Sequence, residues 1–201
     1  MMSASDAFGL FGCGLLSLAV VATSIRAQRL PVRVRCAVML AAAFAVFVPV
    51  GGFWVVAYLR GVTGDLSVTT LVLAGAACIA QLTGRTLIGE RERRAVCWLL
   101  AVAAVFLYPF ALGWTPFDPY SPGYGSIVFL TALLCVTLAA WWARLDLIVL
   151  IVVAAALAYL AGAYESRNLW DYLIDPLVSV YALVRLLAPR TVLPQPASRS
   201  P

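Results

Sequence analysis

Asp171 and Asp175 stand four residues apart in the stretch YESRNLWDYLIDP, residues 164–176, with Glu165 a little upstream. Paired carboxylates are standard equipment for acid and base work. At i, i+4 spacing they would share one face of a helix. Arg167, Asn168 and Trp170 keep them company. A second polar stretch, YPFALGWTPFDPYSPGYGS at 108–126, carries Trp114, Asp118, Tyr120 and Tyr124 among four prolines that stiffen it. Aromatic planes beside carboxylates, an amide and a guanidinium suit a hydroxyl-rich or cationic headgroup, such as a sugar on a lipid carrier. The candidate binding set is Trp114, Asp118, Tyr120, Tyr124, Arg167, Asn168, Trp170 and Asp171. A more remote catalytic set is Asp171, Asp175 and Glu165. A plainer reading ranks ahead of both. Trp and Tyr would form an interfacial belt, Asp171 would cap a helix, and Asp175-Pro176 would start the next one.

The elements that position these residues follow from composition. Of 201 residues, 64% are apolar and 11% charged, and the mean hydropathy is +0.98. Soluble domains are nearer half apolar and a quarter charged. The apolar residues also fall in long runs, the pattern of membrane spans. The expected fold is all-α: a polytopic transmembrane helix bundle of six or seven spans. Six runs are evident, at 7–24, 36–59, 66–84, 95–113, 127–143 and 147–163. The second contains VPVGGF, where Pro49, Gly51 and Gly52 are expected to kink or loosen one helix. A seventh segment, 173–188, is short and interrupted by Arg185, so it either crosses or lies in the interface. One domain is expected over 1–190, followed by a flexible polar tail at 191–201. The N-terminus has no basic residue before its apolar run, so that run reads as a retained span rather than a cleaved signal.

Charge orients the bundle. Every basic residue is Arg. With seven spans, twelve arginines and three acids fall on one side, two arginines and six acids on the other. The positive-inside rule then places the N-terminus outside and favours the seventh crossing. The expected location is the cytoplasmic (inner) membrane of a bacterium. The Arg-rich loops, with Arg26, Arg29, Arg33 and Arg35 in one and Arg85, Arg91, Arg93 and Arg94 in another, would sit against anionic lipid headgroups. They hold no phosphate-cradling Gly-rich motif, and nucleic acid is not an expected partner.

Much chemistry is excluded. The chain has no His, which removes bis-His haem, His-ligated zinc or copper and Ser-His catalysis. Cys13, Cys36, Cys78, Cys97 and Cys135 form no C-x-x-C pair and read as small buried hydrophobes. No cofactor or metal is expected. The first six spans carry no central acid or base, which argues against a proton-driven pump. Thr69, Thr70, Gln81, Thr131, Thr137 and Ser179 read as structural glue, with Gln81 the best candidate for an interhelical bond. The small-residue series Ala154, Ala158 and Gly162, and Gly9 with Cys13, suggest close helix approach. The expected role is a non-catalytic integral membrane subunit. It would scaffold, or present substrate to, another membrane protein in envelope glycan or lipid synthesis or export. A small transporter or lipid flippase with an outer aromatic and acidic site comes second. An interface enzyme using the outer carboxylates comes third.

Overall fold

The computed structural model describes residues 3–112 and 117–188. Trp114 and the tail at 191–201 lie outside these residues. Among the described residues the fold is all-α apart from one small hairpin. Its helices are α1 (Ala4–Ser24), α2 (Val32–Ala45), α3 (Val55–Thr63), α4 (Val68–Thr83), α5 (Glu90–Ala111), α6 (Ile127–Trp142), α7 (Asp146–Leu160), α8 (Leu169–Leu173) and α9 (Pro176–Leu187).

Local chemistry sets most helix ends. Ser3 and Asp6 form a reciprocal capping box at the start of α1. Ser67 caps α4 by accepting from the Thr70 N–H, and Gly84 closes it with φ 73°. The α5 helix begins at Glu90, five residues before its apolar run. Glu90 and Glu92 favour its positive N-terminal dipole, so the stretch expected as loop is the first turn. At the other side, α7 stops at Leu160, and Gly162 (φ 63°) turns the chain beyond it. Gly162 is therefore outside the helix, and the expected small-residue series ends at Ala158.

The second apolar run is not one kinked helix. It is α2, a hairpin of β1 (Pro49–Val50) and β2 (Phe53–Trp54), then α3. Gly51 and Gly52 adopt φ 58° and 93°. Left-handed residues at both positions of a two-residue turn are what a tight hairpin demands, and paired glycines supply them freely. Pro49 also cannot donate a helical bond. The Val56 N–H donates to the Val46 carbonyl at 2.8 Å, closing the base of the excursion. Both valines pack in one cluster with Cys13, midway along α1. The chain thus passes along α1 in two helical halves with a hairpin between them.

The closest packing is α1 on α4 and α5 on α9. Helix α7 lies against α4, α5, α6 and α8, and α6 touches α5 hardly at all. Gly9 lets α1 meet the Arg60 and Asp65 side chains, where a Cβ would collide with both. Cys13, Cys78 and Cys97 are buried, as expected, whereas Cys36 and Cys135 are exposed.

Charged groups gather at the two ends. At one, Arg60 bridges Asp6 and Asp65, each at 2.8 Å. At the other, buried Arg35 donates to the carbonyls of Leu82, Gln28 and Leu30 at 2.8–3.0 Å. Gln81 accepts there from the Gln28 N–H at 3.0 Å, so its bond runs to a turn backbone rather than to a helix. Thr131 and Thr137 bond back to carbonyls of their own helix. Arg185, in the last turn of α9, reaches Glu90 at the start of α5. Among the described residues, two helices, Ser5–Ser24 and Glu90–Phe110, are long and apolar enough to cross a membrane alone; α4, α6, α7 and α9 are apolar but shorter.

Candidate functional site

The two polar stretches meet at the acidic end. Asn168 is fully buried. Its Nδ2 donates to the Tyr120 carbonyl at 2.9 Å, and its Oδ1 caps α8 by accepting from the Trp170 N–H at 2.9 Å. The Trp170 indole donates to the Pro119 carbonyl at 3.0 Å, and its ring lies 4.6 Å from that of Phe129. The Tyr120 hydroxyl donates to the Asp171 carboxylate at 2.8 Å, and the Ser166 hydroxyl bonds the same group. Gly123 permits the contact: a Cβ there would strike Asn168 Oδ1 and lie 2.7 Å from Trp170 Cδ1.

Asp175 joins the far parts of the chain. It is 5% exposed. One oxygen caps α9 by accepting from the Val178 N–H at 2.9 Å, with Pro176 at the first helical position. The other accepts from the Ser67 N–H (2.9 Å), Ser67 Oγ (2.7 Å) and Thr70 Oγ1 (2.5 Å) at the start of α4. Thr69 Oγ1 adds a bond to the Leu173 carbonyl. One carboxylate therefore serves two helix N-termini, where both dipoles favour negative charge.

Asp171 and Asp175 do not share a helix face. Helix α8 ends at Leu173, and Ile174 and Asp175 are extended. Asn168, not Asp171, is the α8 cap; Asp171 sits in its first turn. The two carboxylates nonetheless line one pocket of about 200 Å³, with Asp65, Tyr108, Tyr120 and Ile174. Burial, and then the bond to Asp171, push the Tyr120 hydroxyl well above the usual phenol range. Burial raises the Tyr164 and Tyr172 hydroxyls too. These two pack ring to ring at 4.6 Å and brace the turn between α7 and α8.

The other candidates fall elsewhere. Asp118 is exposed and holds its own turn by accepting from the Tyr120 and Ser121 N–H groups. Tyr124 is exposed, with its ring 5.8 Å from Tyr120. Glu165 and Arg167 are exposed and do not line the pocket. Asp65 and Tyr108 were absent from the sequence-derived set. A Ser67-x-x-Thr70 start just after Asp65 was the available signal that this end of α4 gathers polar groups.

Beside the pocket lies a second cavity, also about 200 Å³ and almost wholly apolar. It is a crevice between α5 and α6, floored by α7. Leu100, Leu133, Val136 and Ile151 line its length, with Trp170 and Ile174 at its upper end. Ile174 lines both cavities. Among the described residues, no group of three or more His, Cys, Asp or Glu side chains comes together as a metal site would need. No protein-family model, curated protein or solved structure matches the chain.

Proposed function

We propose that this chain is a non-catalytic integral membrane subunit that docks against another membrane protein. Its place would be the bacterial inner membrane, with seven crossings and the acidic end and N-terminus outside. It would scaffold, or present substrate to, a partner in envelope glycan or lipid synthesis or export. The observation that carries this reading is the hairpin between α2 and α3. It projects from the middle of the bundle, where Val50 and Phe53 are 53% and 64% exposed. Hydrocarbon tolerates open strand edges only where protein or a water-filled cavity covers them. A two-stranded ribbon midway along α1 therefore calls for a cover, which a partner protein would supply.

Other features support the membrane setting. The α6 and α7 surfaces expose Ile127, Val128, Leu134, Leu150 and Leu157, as lipid-facing helices do. Helix α9 lies along α5 between the two charged ends, and Arg185 in its last turn can extend to the interface. The short helices α4, α6 and α7 are flanked by polar ends that local bilayer thinning would accommodate.

A photo-crosslinking amino acid at Phe53, in cells, tests the proposal. The expected result is a defined adduct with one membrane protein, absent when the same probe stands at Leu150. Lipid adducts alone at Phe53, together with a chain that purifies without a partner in mild detergent, would refute it. A second reading, a small lipid flippase, is favoured by the apolar crevice beneath the acidic pocket. Reconstituted liposomes that move lipid-linked sugar no faster than empty ones would eliminate it.

A further inference from the structure

Helices α5 and α9 pack side by side and leave a surface groove that is apolar along most of its length and basic at one end. The apolar part, about 590 Å³, is lined by Val102, Val105 and Phe106 of α5 and by Leu183 and Leu187 of α9. The basic part, about 90 Å³, is lined by Arg93, Arg94 and Arg185 with Glu90. Trp98 and Leu186 line both parts. The two are continuous along α5, where Arg94, Trp98, Val102 and Phe106 follow at four-residue steps on one helix face. Trp98 is 53% exposed and Val102 62%. The groove therefore opens on the outside of the bundle, which in a membrane is lipid.

Charge sets the occupant's head. Three arginines meet one carboxylate in the basic part, a surplus of two positive charges. Glu90 is shared: Arg93 bonds it, and Arg185 stands 3.9 Å away. Among the described residues, Arg94 has no hydrogen-bond or ion-pair partner. Arg35, at the same end of the bundle, is by contrast spent on backbone carbonyls. Guanidinium forks match phosphate oxygens. A basic pocket between membrane helices suits an anionic lipid head, and an indole at the join of head and chains sits where tryptophan is favoured. A zwitterionic head brings an ammonium that the surplus charge repels. A soluble phosphate would leave the apolar part of the groove unfilled.

We propose that one phospholipid with a net-negative head occupies this groove, its phosphate against Arg94, Arg185 and Arg93 and an acyl chain along Trp98, Val102 and Phe106. The proposal rests on the membrane reading and is independent of the docking partner. It goes beyond a general attraction of basic loops for the bilayer, because it fixes one site between two named helices.

The test uses the full chain in nanodiscs of equimolar phosphatidylglycerol and phosphatidylcholine with matched chains. After exchange into mild detergent, the lipid that stays bound is quantified. The expected result is about one phosphatidylglycerol per chain, retained about tenfold over phosphatidylcholine, the scale of one charge-assisted contact. Arg94→Gln combined with Arg185→Gln should bring the two lipids to parity. Arg29→Gln combined with Arg33→Gln, at the same end but outside the groove, should leave the preference intact; an equal loss there would reduce the effect to general charge and overturn the site. Glu90→Gln should let phosphatidylglycerol withstand higher salt, because it frees guanidinium groups for phosphate. Loss at the same or lower salt would mean that the arginines serve Glu90 alone. Glycerol phosphate at millimolar concentration should not displace the lipid; displacement would mark a bare anion site and overturn the lipid assignment. Equal retention of the two lipids by the parent would overturn the proposal without any variant. A chain that does not enter nanodiscs at all would refute the membrane reading, and this inference with it.

Discussion

Ser67 and Asp175, 108 residues apart, bond twice: the carboxylate accepts from the Ser67 N–H at 2.9 Å and from its hydroxyl at 2.7 Å. The Ser67 hydroxyl in turn caps α4, and Asp175 caps α9. Two helix starts are thus locked by one pair of side chains, and the acidic pocket forms around the lock.

Removing that carboxylate strips donors from both helices. Asp175→Ala is expected to cost about 2–4 kcal/mol, the sum of a lost cap and buried donors left without partners. Ser67→Ala should cost about 1 kcal/mol. The double variant should be clearly less destabilised than the sum, because the two share their bonds. Unfolding in mixed micelles measures this, and strict additivity would contradict the lock.

Gly123 is where the two polar stretches touch. Gly123→Ala should force the turn away from Asn168 and Trp170, costing about 1–3 kcal/mol. Limited proteolysis should then cut near 117–126 in the variant while sparing the parent. Equal cutting rates would mean the contact is looser than the fold requires.

The hairpin turn makes a purely backbone prediction. A Cβ at Gly52 would meet nothing within 4 Å, yet its φ is 93°. Gly52→Ala should therefore destabilise by about 1 kcal/mol or more through backbone strain alone, with no clash to relieve. Gly61 sits in α3 with equally open surroundings and no positive φ. Gly61→Ala should be neutral or stabilising. Thermal unfolding of the two variants separates strain from crowding.

Tyr120 carries a pH signature. Its hydroxyl ionises above the usual phenol range, because burial and Asp171 oppose the phenolate. A raised folded value means the contribution to stability is fully present below pH 10. It is lost as the pH climbs through the higher folded value. In absorbance titration, Tyr120→Phe should remove one late-titrating tyrosine and leave the early ones unchanged. Loss of an early-titrating group instead would show that the hydroxyl faces water.

Much of this protein was legible along the chain. Apolar runs placed α1, α4, α5, α6 and α7, because length and hydropathy are local properties. Asp175-Pro176 announced the start of α9, because an acid before proline satisfies a helix N-terminus with neighbours in sequence. The sorting of arginines and acids to opposite ends was equally plain. What sequence missed was set by partners far away. VPVGGF carried a hairpin signal in its paired glycines, yet a long apolar run outweighed it until the packing of Val46 and Val56 on Cys13 fixed both flanks. Asp171 and Asp175 looked like a helical pair at four-residue spacing. Only the bonds from Ser67, Thr70 and Tyr120 stretched the chain between them and turned both toward one pocket. Asp65 entered that pocket from the turn before α4 and Tyr108 from α5, which no spacing rule could reveal. Hydrophobic pattern decides which segments are helices, because each residue contributes alone. The pocket depended on side chains brought together across more than a hundred residues, and that meeting exists only once the helices have packed.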